Sequence, residues 1–341
     1  MAGLKRSDIE KKIDVIEDDI VAINPELLNI LLKDKTTRKN ILWCTADYKS
    51  LGILYDEHSE IKSELITGEF SNVIQPRAAK MKSIQEKRIK DRAEVFTPSW
   101  ICNKLNNQID EAWFGRKNVF NIPQGNYWIT NSQKIMFPDN KRNWKSYVDA
   151  KRLEITCGEA PYLVSRYDTT TGELLPVYKR IGLFDRKMRI VNENCDDKES
   201  WIKWSIRAIK SVYGYEFQGD SLLIARENLL YDYIDYYNER FKKDAPLNLL
   251  KEISNIIAWN IWQMDGLRFV VPYSCHEIKE TNYQMTLFDM FSEEEKNVPC
   301  PGCEKNDAFE HTGIYCRIYD WTNLKKSIRF IDIFKESVTN G

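Results

Sequence analysis

Residues 153–163 read Leu-Glu-Ile-Thr-Cys-Gly-Glu-Ala-Pro-Tyr-Leu. The run Lys151–Thr156 predicts a short buried strand that carries an acidic residue, Glu154, and enters a loop of small residues. The glycine of that loop, Gly158, lets the backbone approach a ligand closely, and the helix expected next offers free N–H groups. The segment therefore predicts a ligand site at the carboxyl end of a strand.

A second strand with an acidic end is predicted at Val212–Phe217. A helix capped by Ser200 precedes it, a helix through Leu222–Tyr237 follows it, and another at Leu247–Ile253 leads into the apolar run IIAWNIWQMD. This alternation favours a mostly parallel sheet whose ligand lies at the carboxyl ends of the strands. A carboxylate at such a strand tip, here Glu216, is suited to accept both hydroxyls of a ribose.

The order of these segments resembles the amino (gamma-type) class of S-adenosylmethionine-dependent DNA adenine methyltransferases, which includes type I modification subunits. In that family a Phe-Thr-Pro motif precedes the sheet and helps to hold the methionine end of the cofactor; Phe96-Thr97-Pro98 matches it. The first sheet motif of the family is similar to Glu154–Leu163, and its ribose-binding Gly-x-Glu strand end is similar to Gly214-Tyr215-Glu216. The Ala-Arg-x-Asn-Leu helix that follows has its counterpart at Ala225–Leu229.

The resemblance covers roughly residues 90–270 and implies a Rossmann-like α/β methyltransferase sheet. It also implies a bound S-adenosylmethionine and transfer of its methyl group to the N6 atom of a flipped adenine in double-stranded DNA. An acidic residue that lies near the adenine amino group in the family matches Asp265. The implied cofactor-binding residues are Phe96, Thr97, Pro98, Glu154, Cys157, Gly158 and Glu216.

The sequence departs from the family pattern at several positions. Ile155 stands in place of a proline, and Ala160-Pro161 replaces the second glycine of the loop. The catalytic tetrapeptide Asn/Asp/Ser-Pro-Pro-aromatic has only a degenerate counterpart, Val270-Val271-Pro272-Tyr273, and the chain contains no Pro-Pro pair. The first residue of that tetrapeptide hydrogen-bonds the target amino group, whereas the side chain of valine has no acceptor.

Two hypotheses follow from this departure. In the first, the chain is a DNA adenine methyltransferase of the restriction-modification type. Pro272 and Tyr273 then line the base pocket, and Asp265, Asn260 or a partner's side chain holds the amino group. In the second, it is a noncatalytic DNA- or partner-binding subunit that keeps the methyltransferase fold, and Val270–Tyr273 is a strand running into a turn. A third hypothesis is methyl transfer to RNA or protein, because cofactor motifs do not identify the acceptor.

A metal site is predicted near the C-terminus. Cys300-Pro-Gly-Cys303 directs two thiolates at one ion, and His311 and Cys316 complete a tetrahedral Cys3His zinc site. Cys275 and His276 are spare ligands, and the alternative is a set of reduced thiols in a loop. A site closed by four protein ligands is structural and would brace this polar segment.

Two groups of basic residues are candidates for phosphate contacts. The run Arg77–Arg92 holds seven basic residues against two acidic ones, a pattern that also fits a solvated helix face. The second group lies downstream and consists of Arg180, Arg186, Lys187 and Arg189. A chain of this length leaves little room for a target-recognition domain, so we expect a specificity or restriction subunit as partner.

The composition fits a folded protein with a substantial core, because 43% of the 341 residues are hydrophobic and 30% are charged. The net charge of −1 excludes a uniformly basic nucleic-acid coat but not a local groove. No run approaches the roughly 18 apolar residues of a membrane helix, so we expect a cytoplasmic protein without a membrane partner. The expected organisation is a helical region at 1–89, the methyltransferase-like domain at 90–273 and a polar appendage with a zinc knuckle at 274–341.

Overall fold

The structure is a computed structural model that describes residues 17–80, 97–279, 297–322 and 326–334. Phe96, the basic residues from Lys82 to Arg92 and residues 1–16 of the predicted helical region lie outside the described residues.

The described chain is mixed α/β, as the alternation of segments predicts. Its helices are α1 (Glu17–Ile23), α2 (Pro25–Leu32), α3 (Ser99–Phe114), α4 (Trp144–Asp149), α5 (Leu183–Asn194), α6 (Lys198–Lys210), α7 (Gly219–Phe241), α8 (Leu247–Asn260) and α9 (Pro301–Lys305). Its strands are β1 (Asn121–Gln124), β2 (Tyr127–Thr130), β3 (Arg152–Glu154), β4 (Val212–Glu216), β5 (Ile261–Gln263), β6 (Ile278–Lys279), β7 (Asn297–Val298), β8 (Arg317–Asp320) and β9 (Lys326–Arg329). Short 3₁₀ turns lie at Ala46–Leu51, Ile53–Tyr55, Ser63–Leu65, Gly68–Phe70, Arg77–Ala79 and Val177–Lys179.

The central sheet is parallel and has the order β3-β4-β5. Glu154 is paired with Gly214, and Glu216 is paired with Gln263, so the three strands end at one edge. Helices α5 and α6 connect β3 to β4, and α7 and α8 connect β4 to β5. Three parallel strands joined in this way by helices have the connectivity of a βαβαβ unit. A Rossmann-like methyltransferase sheet remains a prediction.

The two faces of the sheet are covered by different elements. Val212 and Ile261 point into the main core, which contains the buried faces of α5 to α8. Tyr213, Tyr215 and Trp262 point the other way, because successive side chains of a strand alternate between its faces. This second face packs against Cys316, Ile318 and Phe330 on and beside the β8–β9 hairpin. The C-terminal segment is therefore part of the packing of the sheet.

Residues 17–80, the described part of the N-terminal segment, contain less helix than the sequence predicts. Helix α2 buries Leu27, Leu28, Leu31 and Leu32 and packs against α8. Residues 33–60 make two isolated β-bridges, Lys33 with Asn40 and Leu42 with Glu60. Leu42 bonds the side chain of Gln263 instead of a full ladder, at 2.8 Å through both its N–H and its carbonyl. The segment consequently crosses the carboxyl edge of the sheet at β5.

Smaller differences concern caps and ends. Helix α6 begins one residue after Asp197, whose carboxylate accepts the N–H of Ser200 at 2.8 Å, so Asp197 and not Ser200 is the cap. The predicted polar appendage contains the strand β9 at Lys326–Arg329. None of the helices in the described ranges has the length and apolar character needed to cross a bilayer.

Candidate cofactor cleft and metal centre

Glu154 closes the loop that follows β3. Its carboxylate accepts the backbone N–H groups of Tyr162 at 3.3 Å and Leu163 at 3.1 Å, which draws residues 155–163 back onto the strand. Burial raises the pKa of Glu154 to about 8, although these two hydrogen bonds act in the opposite direction. Glu154 therefore holds the loop against the strand and also lies next to the cleft.

The loop itself has an unusual backbone. Thr156, Gly158 and Ala160 have φ values of 46°, 53° and 61°. Glycine adopts this left-handed region freely, whereas a residue with a side chain pays about 1–3 kcal/mol. The strained conformation is supported from β4, because Cys157 donates its N–H to the Tyr215 carbonyl at 2.8 Å. Strain of this kind concentrates at ligand sites, so the loop is the first candidate for one.

Glu216 ties the end of β4 to that loop. Its carboxylate accepts the N–H of Gly158 at 2.9 Å, of Phe217 at 2.8 Å and of Gln218 at 3.2 Å. Burial raises the pKa of Glu216 against the effect of these bonds. A carboxylate offers about four acceptor sites, so the three backbone bonds leave one for a ligand hydroxyl.

Thr97 and Pro98 lie beside the same loop. The Thr97 carbonyl accepts the hydroxyl of Thr169 at 3.1 Å, and Pro98 precedes the first turn of α3. Thr97 also interacts with the hydroxyl of Tyr162, whose pKa is raised chiefly by burial. The structure therefore brings together the predicted cofactor-binding residues of three distant segments. Only Phe96 lies outside the described residues.

Asp265 lies two residues beyond the end of β5, and the N–H of the intervening Met264 donates to the Glu216 carbonyl at 3.0 Å. Its carboxylate accepts the N–H of Leu267 at 3.0 Å and the guanidinium of Arg268 at 3.0 Å. The side chain therefore caps its own turn.

Asn260 is at the opposite end of β5. Its amide donates to the carbonyls of Ile209 at 3.0 Å and Val212 at 2.9 Å, and its carbonyl accepts the indole N–H of Trp321 at 2.8 Å. All three contacts hold the Asn260 side chain near the amino end of the sheet. The hypothesis that Asn260 holds a target amino group is therefore wrong.

Pro272 and Tyr273 line a cavity of about 300 Å³ at the carboxyl edge of β5. Tyr273 is half exposed and has a φ of 59°; its ring lies 4.2 Å from His58 and 5.8 Å from Phe217 between centroids. Val270 is buried and bridges Asp265 and Tyr315. The other wall comes from the N-terminal segment and consists of Asp34, Thr37, Lys39, Asn40, Leu42, His58 and Glu60. No local sequence signal marks this wall, because only the fold-back of residues 33–60 places it there.

A second site lies on the C-terminal segment. Cys275, Cys300, Cys303 and His311 bring their ligand atoms within 4.8 Å of one another, which makes a Cys3His group able to hold a metal ion. The Nδ1 atom of His311 lies 3.7, 3.6 and 3.6 Å from the three sulfur atoms. Tetrahedral zinc, with Zn–S of about 2.3 Å and Zn–N of about 2.0–2.1 Å, separates sulfur from nitrogen by about 3.6 Å. The group therefore fits zinc.

The fourth ligand differs from the predicted set. Cys316 is buried, and its thiol donates to the Gln263 carbonyl at 3.3 Å, inside the cluster that covers the second face of the sheet. Cys275 takes its place. Because Cys275 lies far upstream of the Cys-x2-Cys pair, spacing identifies it only as a spare ligand.

The backbone around the metal group is built for close approach. A Cβ on Gly302 would lie 2.7 Å from His311 Nδ1, and one on Gly313 would lie 3.0 Å from Cys275 Sγ. The N–H of Thr312 points at Cys300 Sγ at 3.2 Å. Burial opposes ionisation of Cys300, but the hydrogen bonds from Thr312 and its neighbours lower its pKa to about 5. Thiolate is the form that binds a metal.

The second basic group is structural. Arg186 is buried against Asp110 and donates to Asn103 at 2.8 Å. Lys187 is equally buried, donates to the Val148 carbonyl at 2.9 Å, and has a pKa lowered by burial. The expectation that this group meets phosphate is therefore corrected for these residues, because buried cations with protein partners are not available to DNA.

Three further basic residues of the two groups also pair with carboxylates. Arg180 binds Asp232 at 2.5 Å and Asp235 at 2.6 Å, and Arg189 binds Glu193 at 2.7 Å. Lys80, from the first basic run, lies 3.2 Å from the buried Asp220.

No family model, curated protein or solved structure matches this chain. Its function is therefore inferred from the chemistry of the two sites and from the motif resemblance.

Proposed function

We propose that this chain is an S-adenosylmethionine-dependent DNA adenine-N6 methyltransferase of the restriction-modification type. One observation carries the proposal: Glu216 accepts the N–H of Gly158 at 2.9 Å, while Thr97 lies against the same loop. The three segments that carry the motif resemblance are far apart in sequence. Their meeting at the carboxyl edge of parallel strands supports a shared ligand, because this edge is where open α/β sheets bind ligands.

The residues of the cleft fit the proposed cofactor. When bound, S-adenosylmethionine supplies an electrophilic methyl group. Glu216 has an acceptor site left for a ribose hydroxyl, and Thr97 and Pro98 would contact the methionine end. The strained loop at Thr156–Ala160 would face the ligand. The hydrogen bond from Cys157 to β4 fixes the conformation of this loop before any ligand binds.

The cavity beside Tyr273 is the proposed place for the acceptor base. Its volume of about 300 Å³ is at the small end of ligand pockets, which suits one nucleobase. A flipped base is typically stacked on an aromatic side chain and hydrogen-bonded at its edge. Tyr273 supplies the ring, and Asn40 and Glu60 bring acceptor oxygens to the same cavity. These two residues are our candidates for holding the amino group, since Asp265 is used by its own turn.

The alternative is a noncatalytic DNA- or partner-binding subunit that keeps the methyltransferase fold. Val270 supports it, because this residue is buried, has no polar side-chain atom and stands where the family has its amino-group ligand. In both cases phosphate contacts are proposed for the basic residues from Lys82 to Arg92, with a specificity or restriction subunit as partner.

The Cys3His group is proposed to bind zinc as a structural ion. Purified reduced protein should contain about one zinc per chain, measured by mass spectrometry of the metal. Cys275→Ser should lose it and Cys316→Ser should keep it. If Cys316→Ser loses the zinc and Cys275→Ser keeps it, the ligand set predicted from spacing is the correct one.

The deciding experiment measures transfer of labelled methyl from S-adenosylmethionine to mixed genomic DNA. Glu216→Gln should weaken cofactor affinity by at least about tenfold, because the NH2 end of the new amide cannot accept the hydrogen bonds that one carboxylate oxygen accepts. Glu252→Gln, an exposed change on α8, is the matched control and should change nothing. Transfer that Glu216→Gln abolishes supports the enzyme. Cofactor binding without transfer supports the noncatalytic subunit. Absence of binding by calorimetry contradicts the enzyme and would mean that the motifs survive only as a scaffold.

A further inference from the structure

A five-residue segment, Val271–Cys275, joins the cavity to the metal group. At one end Val271 donates its N–H to the Ile314 carbonyl at 2.8 Å. At the other end Cys275 supplies a thiol to the metal group. Between them Ser274 accepts the N–H of Ile314 at 2.9 Å and donates to the Val271 carbonyl at 2.7 Å. Tyr273 lies inside this segment, two residues from a metal ligand.

Residues 311–315, which lie against this segment, also contribute to the metal group. His311 is a ligand, and the next residue, Thr312, exchanges hydrogen bonds with the backbone of His276 at 3.1 and 2.7 Å. Gly313 leaves no room for a side chain against Ser274 and Cys275. An ion bound by the four ligands would therefore clamp residues 271–276 to residues 311–315.

The backbone conformation of Tyr273 requires support from its surroundings. Its φ of 59° is in the left-handed region, which a tyrosine occupies only when its surroundings enforce it. Its ring is half exposed and rests on His58 and Phe217 at the edge of the cleft.

We propose that the ion bound by Cys275, Cys300, Cys303 and His311 positions Tyr273 at the carboxyl edge of the sheet. Metal occupancy then sets the shape of the 300 Å³ cavity, beyond bracing the C-terminal segment. The role of Tyr273 as a platform for a base rests on the proposed function; the coupling between the ion and Tyr273 does not.

Hydrogen exchange of the full chain, without cofactor or DNA, tests the coupling. Zinc-loaded wild type is compared with chelator-treated wild type and with Cys303→Ser and Cys275→Ser. We expect exchange at 270–276 and 311–315 to rise at least tenfold in all three zinc-free samples, with β4 and α6 unchanged. Cys303 is the informative position, because it lies on α9, outside the two segments that the ion would join.

A zinc-free Cys303→Ser chain with wild-type exchange at 270–276 would overturn the inference, as would a wild-type chain that binds no zinc. A second readout separates the coupling from the proposed function. Affinity for S-adenosylmethionine should stay within twofold on zinc removal, whereas affinity for free adenine should fall tenfold, as in Tyr273→Ala with zinc retained. If zinc-loaded protein binds no adenine, the base pocket fails while the exchange result still decides the coupling.

Discussion

The charge states of single buried carboxylates shape the cleft. Glu154 and Glu216 both sit at strand ends, and burial raises both pKa values. Each carboxyl is held by backbone N–H groups rather than by a cation. The loop that they fix is consequently sensitive to any change that removes an acceptor atom.

The pH dependence of stability should reveal Glu154. Its pKa rises from 4.5 to about 8 on folding, so its stabilising contribution is complete below pH 4.5 and is lost as pH rises through 8. The stability difference between wild type and Glu154→Gln should therefore shrink by up to about 1.4 kcal/mol per pH unit in this window. Urea unfolding from pH 4.5 to 8.5 measures it. Parallel profiles for the two proteins would show that Glu154 titrates normally.

Gly302 is the residue on which the metal group should depend most among non-ligands. A methyl group there meets His311 N at 2.6 Å and His311 Nδ1 at 2.7 Å, so Gly302→Ala must displace a ligand. We expect zinc affinity to fall at least about tenfold, in line with other changes next to metal ligands. Competition with a chromophoric chelator measures it. Glu304→Ala, exposed on the same short helix, should keep wild-type affinity; equal affinities for both variants would contradict the packing argument.

At the scale of elements, buried ion pairs attach the 164–182 segment to α7. Arg180 contacts Asp232 and Asp235, and the Arg180 and Asp232 side chains are 7% and 0% exposed. The sequence predicted a phosphate contact for Arg180. That prediction failed because a group of basic residues does not reveal that carboxylates of α7 will lie opposite it.

Arg180→Ala should therefore destabilise the fold by about 3 kcal/mol, since it leaves a buried carboxylate without its cation. Arg207→Ala removes a similar pair with Asp149 that is 44% and 31% exposed, and should cost less than about 1 kcal/mol. Urea unfolding of both variants gives the comparison. If Arg180→Ala instead weakened DNA binding at unchanged stability, the phosphate role would be reinstated.

At the scale of the whole molecule, the N- and C-terminal segments complete the central sheet. Trp43 and the leucines of α2 belong to the same core as Val212 and Ile261, while Cys316, Ile318 and Phe330 cover the other face. The boundaries predicted at 89 and 273 cut through both sets of contacts.

A fragment of residues 90–273 should consequently fail to fold cooperatively, because both sheet faces would lose buried apolar surface. Circular dichroism during urea unfolding tests this against the full chain. A sigmoidal transition of the fragment, with near-native helix content, would show instead that the segment is an independent domain.

Local patterns were enough to predict the strand–loop–helix order, the acidic strand ends and the Cys-x2-Cys pair, because each depends on neighbours within a few residues. Long-range packing determines that residues 33–60 form one wall of the Tyr273 cavity, that Cys275 replaces Cys316, and that Arg186 and Lys187 are buried. These outcomes depend on which distant surfaces pack together, and burial then determines whether a charge, a thiol or an aromatic ring is available to a ligand.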